Sequence, residues 1–206
     1  LRQLAAELNV YISGGSVQEE VPGENRAYNT NCLIDDRGEI VSVYRKLHTF
    51  DVTLPDGSPI AESDRIKPGV DIVTCTTPLG VIGTAICYDI RFPELFRLMA
   101  LDGAQLIIVP ANFTDQTGQA HWEPLLRARA IENGCYIVAV DQVGRKPQFT
   151  SHGNSMVIDP WGDIIARGSN DAAEIIYGII DISRADEIRA KIPSLANRRS
   201  DVYELS

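Results

Sequence analysis

A cysteine at the end of an apolar run is the residue of this chain best placed to do chemistry. Cys87 follows Leu79 to Ile86, a stretch that reads as a strand, and precedes a polar turn and a helix opening at Pro93. That order lifts a thiol out at the carboxyl end of a strand, where α/β proteins place their reactive groups. Backbone N–H groups beside it can stabilise negative charge. Such a thiol can serve as a nucleophile. It can equally fill a core as a small apolar side chain.

A neutral thiol is a modest nucleophile near pH 7. It needs a base for its proton, a cation or dipole to favour the thiolate, and donors for the oxyanion of an acyl-transfer intermediate. The three histidines, His48, His121 and His152, carry no local mark that selects one as the base. Lys46 directly follows an alternating run, Glu39 to Arg45, so it projects from a strand's carboxyl end as Cys87 does. An ammonium there could hold a thiolate or an oxyanion, or it could be a solvated lysine beside Arg45. Glu62, in a proline- and glycine-punctuated stretch, is open to the same two readings. Asn112 and Phe113 follow the short apolar strand Leu106 to Val109; they can line a pocket, Asn112 orienting a carbonyl and Phe113 walling it, or form an ordinary strand-to-loop turn. Arg91 can grip a carboxylate bidentately, or fix its own turn by pairing with Asp89 or Glu94.

The elements that must position these residues alternate between strand and helix. Val10 to Ser13 reads as a short strand after an opening helix. Tyr28 to Ile34 and Glu39 to Arg45 alternate apolar and polar side chains about the turn sequence Asp35-Asp36-Arg37-Gly38, which predicts a hairpin. Asp51 to Val70, punctuated by Pro55, Gly57, Pro59, Pro68 and Gly69, reads as a long loop. Helices are predicted over Pro93 to Leu101, with proline in the first turn, and over Gln119 to Glu132, stopped by Asn133-Gly134. Tyr136 to Val140 is a strand. Ser155 to Ile158 and Ile164 to Ala166 form a second hairpin, Glu174 to Ile182 is a long β run, and Ser183-Arg184-Ala185-Asp186 opens a last helix. Hairpins mixed with βα units imply an α/β protein with two mixed sheets flanked by helices.

Composition narrows the functions. The chain has 206 residues, 44% of them hydrophobic, enough for one substantial core and read as a single domain over residues 1–206. A formal charge of −9 disfavours nucleic acid and anionic membranes by repulsion. No apolar run is long enough to span a bilayer. Cys32, Cys75, Cys87 and Cys135 lie far apart without a CxxC pair. With no export leader they read as reduced cytosolic thiols, and no HExxH or Cys/His cluster suggests a metal.

Several segments in the same order resemble the nitrilase, or carbon–nitrogen hydrolase, superfamily, in its Nit branch. They are Gly14-Gly15-Ser16, Tyr44-Arg45-Lys46-Leu47-His48-Thr49-Phe50-Asp51, Cys87-Tyr88-Asp89-Ile90-Arg91-Phe92-Pro93-Glu94-Leu95, His121-Trp122-Glu123 with Arg127 to Asn133, and Met156 to Gly162. The resemblance implies a four-layer αββα sandwich that forms homodimers or larger homo-oligomers. It also implies hydrolysis of a non-peptide C–N bond without metal or organic cofactor. By motif, Cys87 is the nucleophile, Lys46 and the backbone N–H of Tyr88 hold the oxyanion, and Glu62 orients the lysine; Glu123, in the Trp122 helix, is a structural rival. The family's first glutamate, its general base, belongs upstream of Gly14-Gly15-Ser16. Glu7 is too near that segment and lies in a helix, so the natural protein is expected to have roughly 60 to 80 further residues, on the usual size of such domains. The implied reaction releases ammonia and a carboxylic acid from a small amide through a cysteine thioester. Deaminated glutathione and α-ketoglutaramate are the branch's substrates. The alternatives are an N-carbamoyl amino-acid hydrolase, a nitrilase, and a catalytically dead interaction subunit.

Overall fold

The computed structural model describes residues 1–53, 57 and 59–204. Backbone contacts gather into two compact units, Leu1–Val73 and Thr74–Ser206.

The first unit opens with helix α1 (Arg2–Leu8), which ends on Asn9 in left-handed backbone. Four strands follow: β1 (Ile12–Ser13), β2 (Val17–Glu20), β3 (Ala27–Ile34) and β4 (Ile40–Arg45). They form one sheet, antiparallel throughout. The long β3 carries β4 along one edge, and β1 and β2 in succession along the other. The turn between β3 and β4 is fixed by Asp35, whose Oδ1 accepts from the N–H groups of Arg37 (3.0 Å) and Glu39 (2.8 Å). The carboxylate thereby replaces the backbone partners that a tight turn leaves unmade. Gly38 completes the turn at φ +81°; a β-carbon there would also lie 2.5 Å from the carbonyl oxygen of Arg2.

The predicted loop from Asp51 to Val70 holds more structure than its prolines and glycines suggest. Strands β5 (Asp51–Thr53) and β6 (Pro59–Ala61) pair antiparallel, and a 3-10 turn, Glu62–Asp64, follows. Pro59 is tolerated because it is the first residue of its strand. Pro55 lies outside the described residues.

The second unit is built on a six-stranded mixed sheet. Its elements in chain order are β7 (Thr74–Thr77), β8 (Gly80–Thr84), the 3-10 turn Cys87–Arg91, α2 (Pro93–Leu101), β9 (Leu106–Ala111), α3 (Asp115–Asn133), β10 (Tyr136–Asp141), β11 (Val143–Arg145), β12 (Thr150–His152), β13 (Met156–Ile158), β14 (Ile164–Arg167) and α4 (Ser183–Lys191). The sheet order is β14-β13-β10-β9-β8-β7. The three central strands β8, β9 and β10 run parallel; the outer pairs are antiparallel. Central parallel strands need apolar side chains on both faces. Ile82, Ile107, Val109, Ile137 and Ala139 are accordingly buried, as are Phe96 and Met99 of α2 and Trp122 and Leu126 of α3. β11 and β12 pair as a separate hairpin.

Two expectations change here. Helix α3 starts at Asp115, four residues before its predicted beginning, because Thr114 caps it and Gly118 sits within it. Glycine is required at that position: a β-carbon would fall 2.5 Å from the β-carbon and 2.7 Å from Cδ2 of His152. The run from Glu174 to Ile182 forms no strand. Its alternation is real, with Ile176, Ile180 and Ile182 partly covered and Ile175, Tyr177 and Ile179 exposed. A strand is defined by a neighbour, however, and no described strand pairs with this one.

Replacing Gly118 with alanine should overpack the α3–His152 contact and lower stability by about 1–3 kcal/mol. A urea-denaturation midpoint unchanged from the parent would contradict that packing.

Candidate active site

In the second unit the thiol stands where an extended strand gives way to a turn. Ala85 still pairs with β9, its N–H donating to Ile108 at 3.0 Å. Cys87 then adopts φ +50°, one of three non-glycine residues of the described chain with positive φ. A side chain in left-handed backbone is sparsely tolerated and persists only where its surroundings enforce it. The enforcement comes from Asp89, which is fully buried: its Oδ2 accepts from the Ile86 N–H at 2.8 Å, while its own N–H donates to the Ile86 carbonyl at 3.1 Å. The partly exposed Cys87 therefore opens a short 3-10 turn. Pro93 then starts α2 as expected.

The loop after β9 lies against this turn. Arg91, on the turn itself, places its guanidinium over the rings of Phe113 (5.3 Å) and Tyr88 (5.9 Å), and its Nη1 donates to His121 Nδ1 at 3.3 Å. Phe113 is buried at 4% exposure, with its ring 5.1 Å from that of Trp122. It therefore supports the loop from within and is not an open wall. Asn112 is half-buried, and its Oδ1 accepts from Ser151 Oγ at 2.6 Å, which leaves the amide Nδ2 as its donor end.

In the first unit the structure brings Lys46 and Glu62 together. Lys46 follows β4 directly; its backbone is fixed by bonds from its N–H to Asn29 and from Gly69 to its carbonyl. Its side chain is 2% exposed, so the solvated reading does not hold. Its ammonium donates to Glu62 Oε2, which also accepts from the Phe50 N–H at 2.6 Å. A buried ammonium is tolerated only when paired, and Glu62, first residue of its 3-10 turn, provides the charge. Glu123 instead joins Arg127 and Arg167 on the surface of α3. Glu7 lies on α1 and accepts from Gln3.

Two features escaped the sequence reading. His152 is buried between Asp115, to which its Nδ1 donates at 3.1 Å, and Asn154, whose Nδ2 donates to Nε2 at 3.2 Å. Asp141, last residue of β10, is 5% exposed and accepts from the Phe113 N–H at 2.8 Å through Oδ1. Burial pushes its carboxyl up to about 7, against the pull of the N–H groups of Phe113, Gln142 and Gly153 and of the Lys146 charge. The signal for Asp141 was present: like Cys87, it is a polar residue ending an apolar parallel strand. Among the described residues no group of His, Cys, Asp and Glu is arranged to hold a metal ion. No described helix is long and apolar enough to cross a membrane.

The model of the carbon-nitrogen hydrolase family matches residues 1–190. The chain belongs to that family. It is 41% identical over 206 residues to the human deaminated glutathione amidase, covering 98% of this chain and 63% of that protein. It is 38% identical to the human omega-amidase NIT2, covering 98% and 73%. The crystal structure of the Caenorhabditis elegans NitFhit protein superposes with a TM-score of 0.92 at 42% identity, over 99% of this chain and 50% of that one. The chain thus spans about half to three quarters of the length of these relatives. The nitrilase-like mixed α/β fold expected from the motifs is the fold found.

Removing Glu62 strands the buried ammonium of Lys46. Glu62→Ala should cost about 3 kcal/mol, and Lys46→Met combined with Glu62→Ala should cost less than the two single changes summed. Additive losses in chemical denaturation would show that the pair is not coupled. Asp141 supplies a pH test. Its unfolded carboxyl ionises near the ordinary 3.8 and the folded one near about 7, so the folded state holds the extra proton between those values. Stability should fall as pH rises through that window and level off above about 7. Asp141→Asn should flatten this part of the thermal-midpoint profile; a profile parallel to the parent's would count against a buried, proton-holding Asp141.

Proposed function

We propose that the protein is an amidase of the deaminated-glutathione-amidase or omega-amidase type. It would cleave a small linear amide to ammonia and a carboxylic acid. The observation that carries this reading is Cys87 itself: a thiol in enforced left-handed backbone at the carboxyl end of a parallel strand, within a chain whose family match runs through 190 residues. That match crosses both compact units, which supports treating residues 1–206 as one functional domain.

In this reading Cys87 Sγ attacks the amide carbonyl and forms a tetrahedral oxyanion. Lys46 and the Tyr88 N–H stabilise that charge, which is worth most in a site screened from water. The proton given up by the thiol passes to the amide nitrogen, so collapse breaks the C–N bond, expels ammonia and leaves a thioester on Cys87; water then adds to the thioester carbonyl, releasing the acid and returning a proton to the sulfur. Glu62 holds the lysine ammonium in place; the Lys46–Glu62 bond supports that role. None of the 206 residues is assigned the part of the family's first glutamate. Asn112 offers a donor to a polar substrate group, Phe113 fixes the loop that carries it, and Arg91 supplies positive charge suited to an acidic amide. No metal or organic cofactor takes part. The protein is read as a cytosolic homodimer or larger homo-oligomer acting on a small molecule, not on nucleic acid or membrane.

The test is ammonia release from deaminated glutathione and from α-ketoglutaramate, with Cys87→Ala as the blank. Release should vanish in the blank, a fall of at least about 10⁴-fold, and mass spectrometry should detect an acyl adduct on Cys87. Equal release by the Cys87→Ala protein would refute the assignment; no release by these 206 residues would fit the unassigned first glutamate, and no release by an amino-terminally extended protein either would favour an interaction subunit.

A further inference from the structure

The segment after β9 is clamped from several sides. Ser151 Oγ donates to Asn112 Oδ1, the His152 N–H donates to the Phe113 carbonyl at 2.9 Å, and Thr114 bridges to Ser151. The Phe113 ring meets both the Arg91 guanidinium and the Trp122 ring. From the interior, Asp141 takes the Phe113 N–H. The register explains why this residue reaches it. Asp141 stands opposite Ala111 at the last pair of the parallel β9–β10 ladder, and the Gln142 N–H donates to the Ala111 carbonyl at 3.1 Å. The next peptide N–H along β9 to be satisfied is then that of Phe113, and the Asp141 side chain is the group at hand. The main chain of Asp141 is held in turn by Ser155: its N–H donates to Ser155 Oγ at 3.0 Å, and that hydroxyl donates to the Asp141 carbonyl at 3.3 Å.

We propose that Asp141 is a positioning residue for the substrate loop, setting the placement of Asn112 and Phe113 beside the Cys87 turn through the charge on its carboxylate. The proposal rests on the reading of that turn as the reacting centre and goes beyond it by naming a residue that touches no substrate. Two observations carry it. The carboxylate makes a short, buried bond to the loop, and its second oxygen, Oδ2, is buried with no well-aligned hydrogen bond among the described residues: the nearby N–H groups of Gln142 and Gly153, which favour the ionised form, donate to the carbonyls of Ala111 and Gln142. A carboxylate so placed has a strong reason to become neutral. The neutral acid is the weaker acceptor, because bonds to an ionised acceptor are roughly twice as strong as neutral ones. The loop is therefore held firmly when Asp141 is ionised and loosely when it is protonated. The midpoint near about 7 places that change within the working range of a thiol enzyme.

Other titratable groups surround the loop and must be told apart from Asp141. They are Lys146 after β11, His152 on β12 with Asp115 on α3, and Arg91, over the Phe113 ring, with His121. Carbon-13 and amide NMR of the protein across pH 5 to 9 separates them without requiring turnover. The Asp141 carboxyl carbon should titrate near pH 7, with the Phe113 amide proton following at the same midpoint. In Asp141→Asn the Phe113 step should disappear. A Phe113 step that persists in the variant belongs to His152 or His121 and overturns the proposal, as does an Asp141 carbon that finishes titrating below pH 5. Should the variant fail to fold, the two midpoints of the parent protein decide by themselves. Steady-state kinetics adds a second readout: KM for the amide should be about fivefold higher at pH 6 than at pH 8, rising more than kcat falls, with Asp141→Asn holding the higher KM at both. An amino-terminally extended protein that turns over no amide sinks the amidase reading while the NMR result still judges Asp141; a turnover profile in which kcat alone moves goes against a positioning role.

Discussion

One buried carboxylate sets the geometry of the cysteine-bearing end of the second unit. Asp89 takes the Ile86 N–H and returns its own N–H to the Ile86 carbonyl. Those two bonds close the turn in which Cys87 takes positive φ. The strain is local and modest, of order 1–3 kcal/mol, and burial of the surrounding turn holds it in place. Ile90, Leu95 and Phe96 are each at most 3% exposed. The thiol is consequently a fixed object at the end of β8 and not a side chain on a mobile loop.

The parallel ladder supplies the rest of the constellation. In β8, β9 and β10 the carboxyl ends point the same way, so Cys87 and Asn112 follow, and Asp141 ends, strands that finish on one edge of the sheet. That edge is where open α/β sheets collect their chemistry, because loops of different strands meet there while the strands themselves stay rigid. Phe113 joins the parts: its ring meets the Arg91 of the cysteine turn, its N–H meets Asp141, and its carbonyl meets the β12 hairpin. In the first unit the corresponding economy is between Lys46 and Glu62, where one ion pair satisfies a buried ammonium and ties the end of β4 to a distant 3-10 turn.

Where the chain spoke locally, it was legible. The Asp35–Gly38 hairpin, the helix opening at Pro93 and the stop at Gly134 depend on a few neighbouring residues, and each stands within a residue or two of its expected place. The hairpin of Asp51–Thr53 with Pro59–Ala61 was hidden because its strands are three residues long and bounded by breakers. Glu174 to Ile182 shows the reverse error. Its alternation is strand-like, but pattern alone cannot supply a pairing partner. The first turn of α3 lay outside the expected helix, and within it Gly118 is the place where His152 approaches.

The sequence by itself determined the local elements, the ordered motifs that mark the family, and Cys87 as a thiol at a strand end, because backbone preference and motif order are properties of neighbouring residues. Tertiary structure alone decided that Lys46 is buried and paired, that Phe113 is a support and not an exposed wall, and that Asp141 and His152 belong to the loop's framework. Burial and hydrogen-bond partnership depend on residues far apart in the chain. No spacing in 206 letters states how much water a carboxylate at position 141 will meet.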